Sequence, residues 1–242
     1  MNRKVKTARL SIISNTTLIL LKLLVGIISG SISIISEAIH STIDLVAAII
    51  AFLAVKLSDI PPDEGHPYGH EKVENISGVI EAILIFVAAV IIIVEAIKKL
   101  IGKQPVELLG LGVLVMFVSA LVNIIVSKIL YKIAKEEDSI ALEADALHLK
   151  LDVYTSLGVG VGLFFIWITG YHYLDPIIAI IIALFILREA YSLMLNAFKP
   201  LMDVKLSDKD ISVIKSEISE YQTAYFDFHE IRTRKAGKIK HI

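Results

Sequence analysis

Cysteine is absent from all 242 residues. That excludes disulfides, thiolate ligands and thiol redox chemistry, and it leaves histidine and carboxylates as metal donors. A Walker-type phosphate loop is also missing, so no nucleotide cofactor and no ATP-driven step are expected. Gly158, Gly160 and Gly162 do spell G-x-G-x-G, but they sit inside an apolar run. There they read as a close-packing helix surface with Gly158 and Gly162 in G-x-x-x-G spacing, not as a nucleotide site. A surplus of charge of either sign is lacking too: the formal net charge is −1. What matters is therefore where the charges sit. No nucleic-acid partner is expected, nor an enzymatic activity. An organelle address is absent, which places the chain in the cytoplasmic membrane of a prokaryote.

What the chain has in excess is apolar sequence. Fifty-five per cent of it is hydrophobic, above the roughly 45–50% of soluble domains, and the apolar residues come in blocks long enough to cross a bilayer. Six spans are expected, over residues 10–28, 32–55, 73–97, 108–130, 141–168 and 174–195. They should be helices, because backbone facing lipid must bond internally and no alternating barrel pattern is present. The first block follows Arg3, Lys4, Lys6 and Arg9, which superficially resembles a secretory signal. It is too long for one and reads as a retained span.

Six spans place both termini on one side. The N-terminal tail and the connections after spans 2 and 4, with adjoining span ends, hold Arg3, Lys4, Lys6, Arg9, Lys56, Lys72, Lys128, Lys132 and Lys135. The opposite connections hold only Lys98, Lys99 and Lys103. The positive-inside rule then makes both termini cytoplasmic. After Pro200 the character changes. Residues 203–220 are charged and amphipathic, with Ile211, Val213, Ile214 and Ile218 on one side. The stretch 229–234 then reads as a strand, followed by a turn at 235–237 and the start of another strand. The fold class is thus an all-α six-helix membrane bundle over residues 1–200. Residues 201–242 are the beginning of a cytoplasmic α/β domain, too short to complete a small domain of its own.

Ionisable groups inside a bilayer cost at least about 2.5–3.5 kcal/mol each, so each one is a functional candidate. His40 and Asp44 lie four apart in span 2, and His148 and Asp152 lie four apart in span 5. Residues i and i+4 share a helix face. One such pair is as readily an interhelical hydrogen bond as a ligand set. Two copies on separate spans suit a four-coordinate Zn²⁺ site of two imidazoles and two carboxylates. The two aspartates neutralise the dication, and metal competes with protons for the same atoms. A second cluster, Asp63, His66 and His70, lies in the connection between spans 2 and 3, where Gly65, Pro67 and Gly69 give a tight non-helical path. Lys22 lies in mid-span without an assignable partner among Asn15, Glu37 and Glu81. Asn123 reads as a polar contact between helices.

With these residues in place, the chain resembles the cation diffusion facilitator family of divalent-metal transporters. The matching stretches are His40-x-x-x-Asp44, Ala144-Asp-Ala-x-His148-x-x-x-Asp152, Gly65-His-Pro-Tyr-Gly-His-Glu-Lys72, Leu174-Asp-Pro176 and His229-Glu-Ile-Arg-Thr-Arg234. The resemblance implies a homodimer in which each protomer carries its own transport site, made by His40, Asp44, His148 and Asp152. It implies a loop zinc site at Asp63, His66 and His70, and a charge interlock between Lys72 and Asp203. It also implies a metallochaperone-like cytoplasmic domain in which His229 is one ligand. His in the span 2 pair, at His40, goes with zinc in this family, where Asp in its place goes with cadmium, iron or manganese. The expected function is export of Zn²⁺ from the cytoplasm in exchange for protons. The rivals are the same mechanism with Mn²⁺, Fe²⁺, Co²⁺ or Cd²⁺, and a metal sensor or scaffold that moves nothing.

Overall fold

The structure, a computed structural model, describes residues 2–29, 32–101, 110–169, 171, 173–221, 229–237 and 239–242; within them, the side chains of residues 29, 32–33, 36–37, 40, 110–113, 116, 159–169 and 175 lie outside the description. Six long helices run in sequence: α1 (Arg3–Ser29), α2 (Ile32–Ser58), α3 (Lys72–Ile101), α4 (Gly110–Glu137), α5 (Ile140–Thr169) and α6 (Leu174–Leu201). Five of them, α1, α2, α3, α4 and α6, are long and apolar enough to cross a membrane. In α5, Glu143, Asp145, Lys150 and Asp152 crowd the first half, and its most apolar stretch falls on residues 159–169.

The bundle is apolar outside and turns its polar groups inward, beside an apolar core. On α3, for example, Ile76, Ile83, Val87, Ile91 and Val94 are exposed, while Glu74, Asn75, Ser77 and Glu81 are buried. A water-soluble helix has the opposite arrangement. This one suits a solvent of lipid, where the outer face needs no polarity and inward polar groups find partners.

Helices pair closely where small residues line the seam. α3 packs along α6, α1 along α2, and α4 along α5. Ala82, Ala89 and Ala96 recur every seven residues on α3, as do Ala183, Ala190 and Ala197 on α6, all at most 3% exposed. Such spacing keeps small side chains on one face and lets helix backbones approach. At Gly78 on α3 a Cβ would come within 3.1 Å of Ala197 Cβ, and one on Gly158 of α5 would overlap the Ile182 side chain of α6. Gly158 therefore serves the close packing expected of it, while the side of α5 at Gly160 and Gly162 lies outside the described residues.

One end of the bundle is tied by a buried polar knot. The Glu74 carboxylate at the start of α3 accepts from Lys4 Nζ of α1 at 2.6 Å, from Ser58 Oγ at the end of α2 at 2.7 Å, and from Ser139 Oγ. Ser139 also caps α5, accepting from the Leu142 amide. Four helices thus converge on one carboxylate. Sequence reading singled out neither Glu74 nor Ser139.

Beyond α6 the chain turns at Asp203, in the left-handed region at φ 51°, a conformation that a short polar side chain tolerates. Helix α7 (Asp208–Glu220) follows, capped by Ser207 Oγ, which accepts from the Asp210 amide at 3.2 Å. It begins five residues later than the expected amphipathic stretch and buries none of its residues. Strands β1 (Arg234–Ala236) and β2 (Ile239–His241) form an antiparallel hairpin about Gly237. The expected strand over 229–234 begins only at Arg234.

Candidate metal site

Asp44 of α2 and His148 of α5 meet inside the bundle. His148 Nε2 lies 2.9 Å from Asp44 Oδ1, and both residues are 7% exposed. Asp152 stands one turn further along α5, and one donor atom from each of the three falls within 4.8 Å of the others. That is the spacing of atoms that share one ion, since donors about 2.0–2.2 Å from a metal sit 3–4 Å apart. His40 occupies α2 one turn before Asp44; its side chain lies outside the described residues. Three of the four expected donors are brought together, by two helices that arrive from opposite ends of the sequence.

Two neighbours add to this set. Asn123 of α4 points its Nδ2 at Asp152 Oδ2, at 3.5 Å, and its own Oδ1 has no hydrogen-bond partner. It therefore lies against a donor rather than merely gluing helices. Lys22, which sequence could not pair, donates to Ser41 Oγ at 2.7 Å. Ser41 precedes Asp44 by three residues, so the Lys22 amino group stands near the ligand face of α2.

The donors open onto a cavity of about 1100 Å³, lined among others by Asn15, Lys22, Asp44, Asn123, His148 and Asp152. Its α3 wall runs from Leu84 to Lys99 and its α6 wall from Pro176 to Ile186. The cavity thus reaches toward the C-terminal end of α3, away from the Glu74 knot. The donor set therefore opens toward that end of the bundle.

The second cluster lies outside the bundle. Asp63 Oδ1 accepts from the His66 amide at 2.6 Å and sits 3.2 Å from His66 Nδ1, while Asp63 Oδ2 is 3.4 Å from His70 Nε2. The His66 and His70 rings lie 4.3 Å apart. The amide of His66, and then the two imidazoles, hold the Asp63 carboxyl below its usual range. Gly69, at φ 86°, makes the turn that brings His70 back, in a conformation glycine adopts without strain. All three side chains meet, as their spacing suggested.

The same loop is moored to the C-terminal hairpin. Lys72 Nζ donates to Asp203 Oδ1 at 2.7 Å, and Arg234 approaches that oxygen at 3.6 Å. Arg234 also stacks over Tyr68 at 3.9 Å, and Tyr68 meets His241 edge-on. His229 is exposed and joins neither cluster among the described residues.

An apolar exterior, polar groups turned inward and a set of three donors close enough to meet at one ion mark a multi-pass membrane protein built around a metal-ligand constellation. Comparison with known proteins makes the class specific. Residues 8–202 match the family described as the cation efflux transmembrane domain. An uncharacterized transporter of Synechocystis is 37% identical over 222 residues, which is 92% of this chain and 72% of that protein. The cation-efflux pump FieF of Shewanella oneidensis is 30% identical over 235 residues, 97% of this chain and 79% of that one. An uncharacterized transporter of Methanocaldococcus jannaschii is 31% identical over 233 residues, covering 96% and 82%. The chain belongs to the cation efflux family, the cation diffusion facilitators, and its cargo is a metal cation.

Proposed function

We propose that this chain is a six-span Zn²⁺/H⁺ antiporter of the cytoplasmic membrane, with both termini in the cytoplasm, that exports zinc. Residues 1–200 are its transport domain and residues 201–242 belong to a cytoplasmic domain. The observation that carries the proposal is the buried meeting of Asp44 with His148, beside Asp152, at the closed end of a cavity. His40 completes the set from α2. Imidazole favours zinc over harder ions such as Mn²⁺, and two carboxylates balance the dication.

Exchange follows from the chemistry of these donors. Zinc needs His148 neutral and the aspartates ionised, so binding expels protons and protonation expels zinc. The 2.9 Å between His148 Nε2 and Asp44 Oδ1 lets one proton bridge the two atoms once zinc has left. Alternating access requires that only one end be open at a time; a cavity at one end and the Glu74 knot at the other support it. The loop triad is a second zinc site, structural rather than transporting. The Lys72–Asp203 pair holds the geometry of a homodimer.

The test is Zn²⁺ uptake into proteoliposomes with and without an imposed pH gradient, for wild type and Asp152→Ala. Uptake that follows the gradient and disappears in the variant is expected. Zinc binding without any uptake would favour a sensor, and undiminished uptake by the variant would remove the site from the pathway.

A further inference from the structure

Two carboxylates remain that the proposed exchange leaves unused. Glu81 of α3 is 0% exposed and Asp145 of α5 is 1% exposed. Each has one oxygen satisfied by a serine: Ser77 Oγ donates to Glu81 Oε1 at 3.0 Å, and Ser11 Oγ of α1 donates to Asp145 Oδ1 at 3.1 Å. The second oxygen of each, Glu81 Oε2 and Asp145 Oδ2, has no hydrogen-bond partner. The two stand where α3 packs against α5: Ala82, next to Glu81, and Ala144, next to Asp145, belong to one buried cluster. Leaving a buried carboxyl oxygen unsatisfied is costly, and native structures seldom do so without an ion, a water or a function to explain it.

Position narrows the explanation. Asp145 precedes His148 by three residues, about 4.5 Å along the helix axis, toward the N-terminal end of α5. Glu81 lies on α3 between Glu74 of the knot and Leu84, where the cavity wall begins. Neither lines the cavity. The pair therefore stands on the side of the Asp44–His148–Asp152 donors away from the cavity, between them and the knot. Sequence weighed Glu81 only as a counter-ion for Lys22, which instead bonds Ser41.

We propose that Glu81 and Asp145, with the hydroxyls of Ser77 and Ser11, form a second divalent-cation site, an all-oxygen stop between the N-terminal end of α5 and the Asp44–His148–Asp152 donors. The inference rests on the reading of the chain as a cation transporter. Two carboxylates neutralise one dication, and each serine hydroxyl can rotate to present a lone pair instead of its proton. Without imidazole the set holds zinc less firmly than the neighbouring site and accepts hard ions such as Mn²⁺. An ion arriving from the side of the knot meets weak donors first and strong donors next. Serial sites of this kind keep a cation neutralised in transit without trapping it.

The experiment uses the full chain in nanodiscs, with Asp63, His66 and His70 each changed to Ala so that the loop binds nothing. Free Mn²⁺ is followed by its EPR signal, and Zn²⁺ uptake is measured in proteoliposomes. The loop-silenced chain is expected to bind two Mn²⁺, and Glu81→Gln with Asp145→Asn to bind one. Zinc uptake by that double variant should fall about tenfold, in the range lost when a metal's supporting groups are removed. Ser11→Ala with Ser77→Ala, which leaves the charges in place, should weaken the second Mn²⁺ without abolishing it, and it serves if the carboxylate variant does not fold. An unchanged Mn²⁺ count in both variants overturns the proposal, because the pair then holds only protons. Undiminished zinc uptake by Asp152→Ala would instead remove the transport site while leaving the Mn²⁺ count to decide this one.

Discussion

The two histidine–aspartate clusters are made from the same side chains and differ in what surrounds them. Asp44, His148 and Asp152 hang from two long helices and face a cavity, the first two buried within the bundle and Asp152 half-buried. Asp63, His66 and His70 belong to one short loop, with Asp63 and His66 exposed and the local turn supplying the geometry. Moving α2 against α5 by an ångström or two would pull the first cluster apart. The same motion leaves the second intact, since all its donors lie within eight residues. A site assembled from two helices couples ion binding to helix movement, whereas a site within one loop can only hold. That difference, rather than donor chemistry, is why transport is proposed for the first cluster and support for the second.

The largest effect should therefore separate the clusters by function. His148→Ala removes the imidazole that touches Asp44 across the helix pair, and zinc uptake in proteoliposomes is expected to fall to the protein-free background. His66→Ala removes a donor from a triad that stays assembled through Asp63 and His70, and uptake should remain within about threefold of wild type, less than the loss expected for groups supporting a transport ligand. Equal losses in the two variants would erase the functional distinction.

A second contrast lies between two ion pairs near the same end of the bundle. The Lys4–Glu74 pair is buried, with side chains 11% and 5% exposed, and links α1 to α3. Lys4→Met leaves an uncompensated carboxylate that still receives the Ser58 and Ser139 hydroxyls. Removing one partner of a buried pair costs about 3–5 kcal/mol, and the hydroxyls place this case at the lower end. Equilibrium unfolding in mixed micelles should register it. A change within experimental scatter would mean that the knot closes the bundle end without stabilising it.

The helices and the chemistry were legible in the sequence to different degrees. Apolar run length gave the long helices, because lipid leaves the backbone no alternative. The i,i+4 spacing picked out His148 with Asp152, and the loop glycines marked the triad. Glu81, Asp145 and Glu74 were not legible as a group. Their partners, Ser77, Ser11, Lys4, Ser58 and Ser139, are ordinary residues scattered over 136 positions, and only packing brings them together. Asn123 reads from sequence as helix glue, and nothing in its neighbours along the chain reveals that it lies against Asp152. The tail shows a third case: its strand begins at Arg234 rather than at residue 229 because the residues that contact the loop, Arg234 and His241, fix where the hairpin forms.

The smallest effect should come from the exposed counterpart of the buried pair. Lys72 and Asp203 join the loop to the chain after α6, 2.7 Å apart but open to water. Lys72, with Arg234 behind it, holds the Asp203 carboxyl below its ordinary value of 3.8. A carboxyl whose folded-state value is depressed contributes stability that is fully present above the ordinary value and is lost only as pH falls through the lower one. Mooring of the hairpin should thus be indifferent to pH between about 5 and 8 and weaken below about 4. Asp203→Asn should speed amide exchange in β1 and β2 by less than about fivefold at neutral pH, as for other solvent-exposed pairs, and should abolish the acid weakening. Arg234 stacked on Tyr68 and Tyr68 against His241 keep the hairpin in place without the charge. A much larger gain in exchange would show that the pair, and not the aromatic contacts, joins loop to hairpin, making this exposed bridge as structural as the buried knot.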